Sequence, residues 1–129
     1  MTATIALTTA GITQMATDLY TAAKWKYVGW GTGAAAPAIA NTALGAEVEA
    51  ARSPAGTITN PSAGVYKCVA TQTATATSNG QTITEAGLFD TTGTGTGVLL
   101  IRGTFTGIVV ATGDSIQLTF QLTFVAGTA

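Results

Sequence analysis

From Ser115 to Phe124 the chain alternates without a break. Ile116, Leu118, Phe120, Leu122 and Phe124 take one parity; Ser115, Gln117, Thr119, Gln121 and Thr123 take the other. A period of two is what a pleated strand imposes, because successive side chains leave opposite faces. An apolar row beside a polar row therefore predicts a strand with one face on a core and the other turned away from it, as in an antiparallel sheet.

Strand signals fill the rest of the second half. Threonines 71, 73, 75 and 77 alternate with Ala74 and Ala76, which predicts a strand over 65–77. Asn79-Gly80 is a two-residue hairpin signal, giving a return strand over 81–90. The Thr-Gly series over 91–97 reads as a flexible turn, with a further strand over 98–105. In the first half, Lys24-Trp25-Lys26-Tyr27-Val28-Gly29-Trp30 is an aromatic, β-favouring run. Asn41 or Thr42 is placed to cap a short helix running to Val48. Pro54, Gly56, Asn60, Pro61 and Gly64 make 53–64 a loop. Ile12, Met15, Ala16, Leu19, Tyr20 and Ala23 fall at helical spacing, so a helix is expected over 9–23, capped by Thr8 or Thr9. The expected fold is mainly β: an antiparallel β-sandwich or barrel with a short N-terminal helix and an N-terminal arm. Residues 1–8 form the arm and 9–129 a single β-rich domain.

Composition narrows what such a fold is for. Only 9% of the 129 residues are charged, against about 25% in an ordinary globular chain. Mean hydropathy is +0.40, yet no uncharged apolar run reaches the ~18 residues of a membrane span, so no membrane partner is expected. The chain does not open on a basic segment followed by a hydrophobic one, so no secretory signal is expected. Threonine, alanine and glycine occupy places that Lys and Glu usually take. Such a surface lacks the charge that keeps monomers apart, and much of it is expected to be covered by neighbours. Net charge is −1, and the five basic residues Lys24, Lys26, Arg52, Lys67 and Arg102 are scattered. No nucleic-acid footprint results.

The chemistry of catalysis is poorly supplied. There is no histidine, the commonest general base and transition-metal ligand, and Cys68 is the lone cysteine. Asp18, Glu47, Glu49, Glu85, Asp90 and Asp114 form no pair spaced for acid–base work on a sugar and no calcium loop. Gly31-Thr32-Gly33 follows a strand, as in a dinucleotide loop, but Pro37 interrupts the helix that would receive the phosphates. Gly93-Thr94-Gly95-Thr96-Gly97 lacks the lysine of a phosphate-binding loop. No enzyme, cofactor or metal is expected. Glu85 is the one suggestive charge. It shares a strand face with Ile83 and Phe89, and a buried carboxylate requires a partner, for which Arg102 and Arg52 are the candidates. Trp25, Tyr27 and Trp30 are candidate interface residues, since buried aromatics dominate interface energetics, although a core within the domain would use them equally well. Thr2, Ile5 and Leu7 of the arm are the other contact candidates.

Several segments, taken in order, resemble a known class. They are the Leu7-Thr8-Thr9-Ala10-Gly11 helix start, Tyr27-Val28-Gly29-Trp30-Gly31-Thr32-Gly33, and Thr42-Ala43-Leu44-Gly45-Ala46-Glu47 with Arg52 after it. They continue through Ile83-Thr84-Glu85-Ala86-Gly87-Leu88-Phe89-Asp90, Leu99-Leu100-Ile101-Arg102-Gly103-Thr104-Phe105 and Gly113-Asp114-Ser115-Ile116. This order is similar to that of small virion proteins of tailed bacteriophages, the tail-fibre or collar proteins and the head decoration proteins, over about Leu7 to Phe124. The resemblance implies a structural part of the phage particle, made in the host cytoplasm. A small domain with an arm suits a capsid shell better than a long fibre. The expectation is therefore a decoration (cement) protein, homotrimeric and clamping the major capsid protein or other virion proteins. A tail-fibre, collar or baseplate component is the alternative. A carbohydrate-binding adhesin, which would line a saccharide pocket with an aromatic such as Trp30, is a third.

Overall fold

The structure, a computed structural model, describes residues 3–126. It is mainly β, with two antiparallel sheets that are not closed into a barrel and one short helix. Helix α1 spans Thr9–Ala22; strands follow at β1 (Tyr27–Gly31), β2 (Glu47–Val48), β3 (Thr57–Thr59), β4 (Val65–Thr73), β5 (Thr82–Phe89), β6 (Leu99–Val109) and β7 (Ser115–Thr123). One sheet has the order β2-β1-β5-β6 and the other β3-β4-β7.

The two sheets meet face to face over one core. Val28, Trp30, Ile83, Ala86 and Leu88 from the first pack with Tyr66, Cys68 and Ala70 from the second, all buried. Burying a large aliphatic or aromatic side chain contributes about 1.5–3 kcal/mol, so this cluster supplies most of the drive to fold. Helix α1 is capped by Thr8, whose Oγ1 accepts from the Gly11 N–H at 3.1 Å, and ends on Ala23 in the left-handed region (φ 51°). Only Ile12 and Ala16 of its apolar stripe are buried; Met15 and Tyr20 are exposed.

Four local expectations are corrected. Strands β4 and β5 do not form a hairpin across Asn79-Gly80, because they belong to different sheets. Strand β4 instead pairs with β7 along its whole length, from Val65 opposite Thr123 to Thr73 opposite Ser115. Asn-Gly marks a tight turn, and here that turn carries the chain from one sheet to the other: Gly80 has φ +77° and its N–H donates to the Val110 carbonyl. The helix expected up to Val48 is absent. Residues 32–46 cross the outer face of the first sheet and end in β2, which lies antiparallel to β1 with Trp30 opposite Val48. The 53–64 loop contains β3, paired with β4. The Thr-Gly series over 91–97 is tethered at several points, described below, rather than left as a flexible turn.

The outer face of the first sheet is built for close contact. Gly29 lies opposite Gly87 and Gly31 opposite Glu85. A Cβ on Gly31 would collide with the Ala46 backbone and the Glu85 carboxylate. Gly80, by contrast, has open space around it and only its backbone conformation to protect. Gly31→Ala is therefore expected to cost about 1–3 kcal/mol through overpacking, and Gly80→Ala about 1 kcal/mol through its positive φ. Thermal or urea unfolding of the two variants checks the ranking.

Candidate functional site

Glu85 organises the crossing segment. Strand β5 shifts register against β6 between Ile83 and Glu85. Ile83 thus joins the inner core while Glu85 lies on the opposite, outer face, fully buried beneath residues 32–46. The sequence places Glu85 on one face with Ile83; the bulge separates them. The Glu85 carboxylate accepts from the backbone N–H groups of Gly33 (3.1 Å), Gly45 (2.9 Å) and Ala46 (2.7 Å), and from Arg102 Nε (2.9 Å). Arg102 also donates to the Ala35 carbonyl at 2.9 Å and to Asn41 at 3.3 Å. The N–H groups of Gly45 and Ala46, which a helix would need, are taken by this carboxylate. That is the physical reason residues 41–48 are not helical.

Arg52 is not the partner of Glu85. It pairs with Glu47, at 2.8 Å from Nε and 3.0 Å from Nη2, in the bidentate geometry that suits guanidinium and carboxylate. Its guanidinium lies 3.4 Å from the Phe89 ring centroid. Nη1 donates to the carbonyls of Thr91 (3.1 Å) and Thr96 (2.8 Å), while Glu47 accepts from the Gly95 N–H at 3.0 Å. This one pair therefore pins the 91–97 turn to β2.

A third node is centred on Glu49, which the sequence gave no reason to single out. It is buried with φ 96°, a left-handed conformation that costs a non-glycine residue of order 1–3 kcal/mol. Its carboxylate accepts from the Ser78 hydroxyl and from the Thr75 hydroxyl (2.5 Å) and N–H (3.3 Å). That network holds the 74–81 crossover against the first sheet. The indole N–H of Trp30 falls outside hydrogen-bonding geometry, yet it still favours the ionised form of Glu49.

Burial on its own raises the pKa of both Glu49 and Glu85. At Glu49 the Ser78 and Thr75 hydrogen bonds outweigh it; at Glu85 those from Ala46, Gly45, Arg102 and Gly33 do so. Both carboxyls therefore sit below the ordinary 4.5. Ionised, buried and filled with donors, Glu85 works as a fastener and offers no lone pair to a substrate. Among the described residues no three His, Cys, Asp or Glu side chains converge as metal ligands. Burial pushes the Cys68 thiol up to about 11, so it stays a neutral core side chain.

The interface candidates separate. Trp30 is wholly buried in the domain's own core, which removes it both as a contact residue and as the wall of a saccharide pocket. It is drawn inward because β1 places it opposite Ala86, beside Val28 and Leu88. Trp25 is half-buried: its indole donates to the Val98 carbonyl at 3.3 Å, and its own carbonyl accepts from the Tyr66 hydroxyl at 2.5 Å. Tyr27 is half-buried under Lys26, whose Nζ lies 5.8 Å from the ring centroid. Ile5 and Leu7 are exposed; Thr2 lies outside the described residues.

Apolar openings lie elsewhere, along β6 and β7. Three adjoining clefts follow these strands. One of about 430 Å³ runs beneath α1 between Trp25 and Phe124, and one of about 450 Å³ lies beside Pro37 and Ile39. The third, of about 330 Å³, lies between Phe105 and Phe120 and reaches Ala86 in the core. Leu118, Phe120 and Leu122 are only half-buried there, while Ile108 and Val109 at the end of β6 are 43% and 67% exposed. No helix among the described residues is long and apolar enough to cross a membrane. Neither protein-family models nor curated proteins give a match to this chain.

Two predictions follow from the charge nodes. Glu85→Ala leaves Arg102 buried and unpaired and frees three backbone N–H groups, so a loss of about 3–5 kcal/mol is expected in urea unfolding. Because Glu49 and Glu85 have folded pKa values below 4.5, their stabilisation is complete above pH 4.5 and lost as pH falls through the folded values. The urea midpoint is expected to hold steady from neutral pH down to about 5 and then drop. In Glu85→Gln the acid-side drop should be shallower.

Proposed function

We propose that this chain is a structural protein of a tailed-bacteriophage particle, a decoration (cement) subunit that stabilises the head shell by bridging capsid subunits. The observation that carries the reading is the ordered series of short segments from Leu7 to Phe124, which resembles small phage virion proteins. The disposition of charge supports it. Of the eleven charged residues, Glu47, Glu49, Arg52, Glu85 and Arg102 are spent on internal networks. Six charged residues remain outside these networks, and the rest of the outer surface is neutral, small and apolar, which suits permanent contact more than free diffusion.

The mechanism is mechanical. Each subunit buries area across neighbouring capsid subunits, and the many identical sites of a shell make weak contacts add through multivalency. A homotrimer presents three such contacts at once. The exposed arm, with Ile5 and Leu7, and the half-buried Trp25 are the residues this reading assigns to contacts. The alternative, a tail-fibre, collar or baseplate component, rests on the same series of segments and differs in address and copy number.

Imaging of intact particles, with mass-spectrometric counting of this chain, tests both. Density on the head at near-stoichiometry with the major capsid protein is the expected result. A few copies at the tail would favour the alternative, and absence from purified particles would overturn both.

A further inference from the structure

Strands β6 and β7 close their respective sheets, and both lie along the same open side of the sandwich. They run for eleven and nine residues, whereas the opposite edges, β2 and β3, have two and three. Among the described residues no backbone hydrogen bond reaches the outer edge of β6 or β7. Long free edges in a solitary protein are guarded by charge, proline or bulges that turn the edge away. Strand β7 has no charged residue and no proline; β6 has one charge, Arg102, already held by Glu85. Beyond Arg102, the stretch from Gly103 to Val109 carries neither charge nor proline; its one guard is the irregular pairing with β5 at residues 105–107, and β7 has none. The cleft between the two strands opens on Phe105, Leu118 and Phe120.

We infer that this open side is the docking surface for a second copy of the same chain, β6 of one copy extending the sheet onto β7 of its neighbour. Three features select a copy as occupant. The free N–H and C=O groups of two strand edges require a partner with strand edges of comparable length, and this chain carries both. The seam is neutral and apolar, so a charged partner would bury charge without compensation, whereas a copy brings the same Leu, Phe and Thr side chains. The exposed apolar side chains also agree: Ile108 and Val109 at the end of β6 are 43% and 67% exposed, apolar surface that a second copy would cover. Joining β6 to the neighbour's β7 turns a four-stranded and a three-stranded sheet into one continuous seven-stranded sheet.

Light scattering and hydrogen exchange on the purified full chain test this without any particle. The expected mass is a whole multiple of 12.8 kDa, with the amides of β6 and β7 protected from exchange. Thr104→Lys and Thr119→Lys, both at exposed positions on the rim of the seam, should each weaken association about tenfold or more by placing an unpaired charge in a neutral interface. Thr59→Lys on the far edge β3 should leave it unchanged. A mass of 12.8 kDa, free exchange along both edges, or association indifferent to the two seam lysines overturns the inference. Should either lysine variant fail to fold, mass and exchange of the unaltered chain decide alone. The inference rests on strand edges, so a monomeric chain would leave the virion proposal standing, and absence from particles would leave the docking surface standing.

Discussion

The carboxylate of Glu85 is the constraint on which the first sheet's outer face depends. A buried carboxylate carries a desolvation penalty of several kcal/mol. Three backbone N–H groups and Arg102 offset it here. The backbone donors come from residue 33 and from the adjacent residues 45 and 46, at the two ends of one segment, so satisfying the charge closes a loop over the sheet. That loop in turn delivers β2 to the edge of β1 and Glu47 to Arg52. The glycines at 29, 31 and 87 allow the covering chain to approach. Remove the charge, and both the reason for the loop's path and the fit beneath it are lost together.

The other buried charges work in the same manner. Arg52 and Glu47 fix the 91–97 turn, and Glu49 fixes the crossover that sends β5 to a different sheet from β4. Each node ties a segment of low hydrophobicity and high conformational freedom to the sheets, at a place where apolar contacts alone would not specify a path. Of the charges left outside, Asp90 and Asp114 accept from the backbone N–H groups of Val98 and Ala111. Nearly half of the charge in this chain acts as internal rivets, which leaves only a thin charged coat outside. The 9% charged content, read alone, does not reveal that division.

Much of the secondary structure was legible in the sequence, and its limits have physical causes. The helix and strands β4 and β7 follow from periodicity, which reports local sidedness; β1 follows from its aromatic, β-favouring composition, and β5 and β6 from the turn signals before them. Pairing was legible only in part, because Asn79-Gly80 specifies a turn without specifying which strands it joins. In the structure β4 pairs with β7 and β5 with β1, and Glu49 holds the crossover between them through Thr75 and Ser78, residues 26 and 29 positions away. The missing helix before Val48 was illegible for a like reason: its capping residues are adequate, but a carboxylate forty positions away claims its N–H groups. Glu85 stands out in the sequence as a carboxylate needing a partner, with Arg102 and Arg52 as candidates; Arg102 is the partner because β6 lies next to β5. Arg52, equally plausible by sequence, went to Glu47, five residues earlier. Trp30 as a contact residue failed because an aromatic run gives no indication of which face closes on the core.

The strongest pattern in the sequence has an unexpected place in the structure. The apolar row of β7 alternates without fault, yet its residues are only half-buried, while β5, whose register against β6 shifts on either side of its centre, is buried almost throughout. Alternation measures how consistently a strand separates two environments, and it does not measure how completely either is enclosed. Strand β5 lies between two neighbours and under the crossing loop, so a disruption of its period is tolerated wherever a rivet such as Glu85 compensates. Strand β7 has a neighbour on one side only, and its register depends on keeping every apolar residue toward the seam. A strict pattern at an open edge is what a surface requires if it is to be completed from outside: the row must already be in register when the second edge arrives.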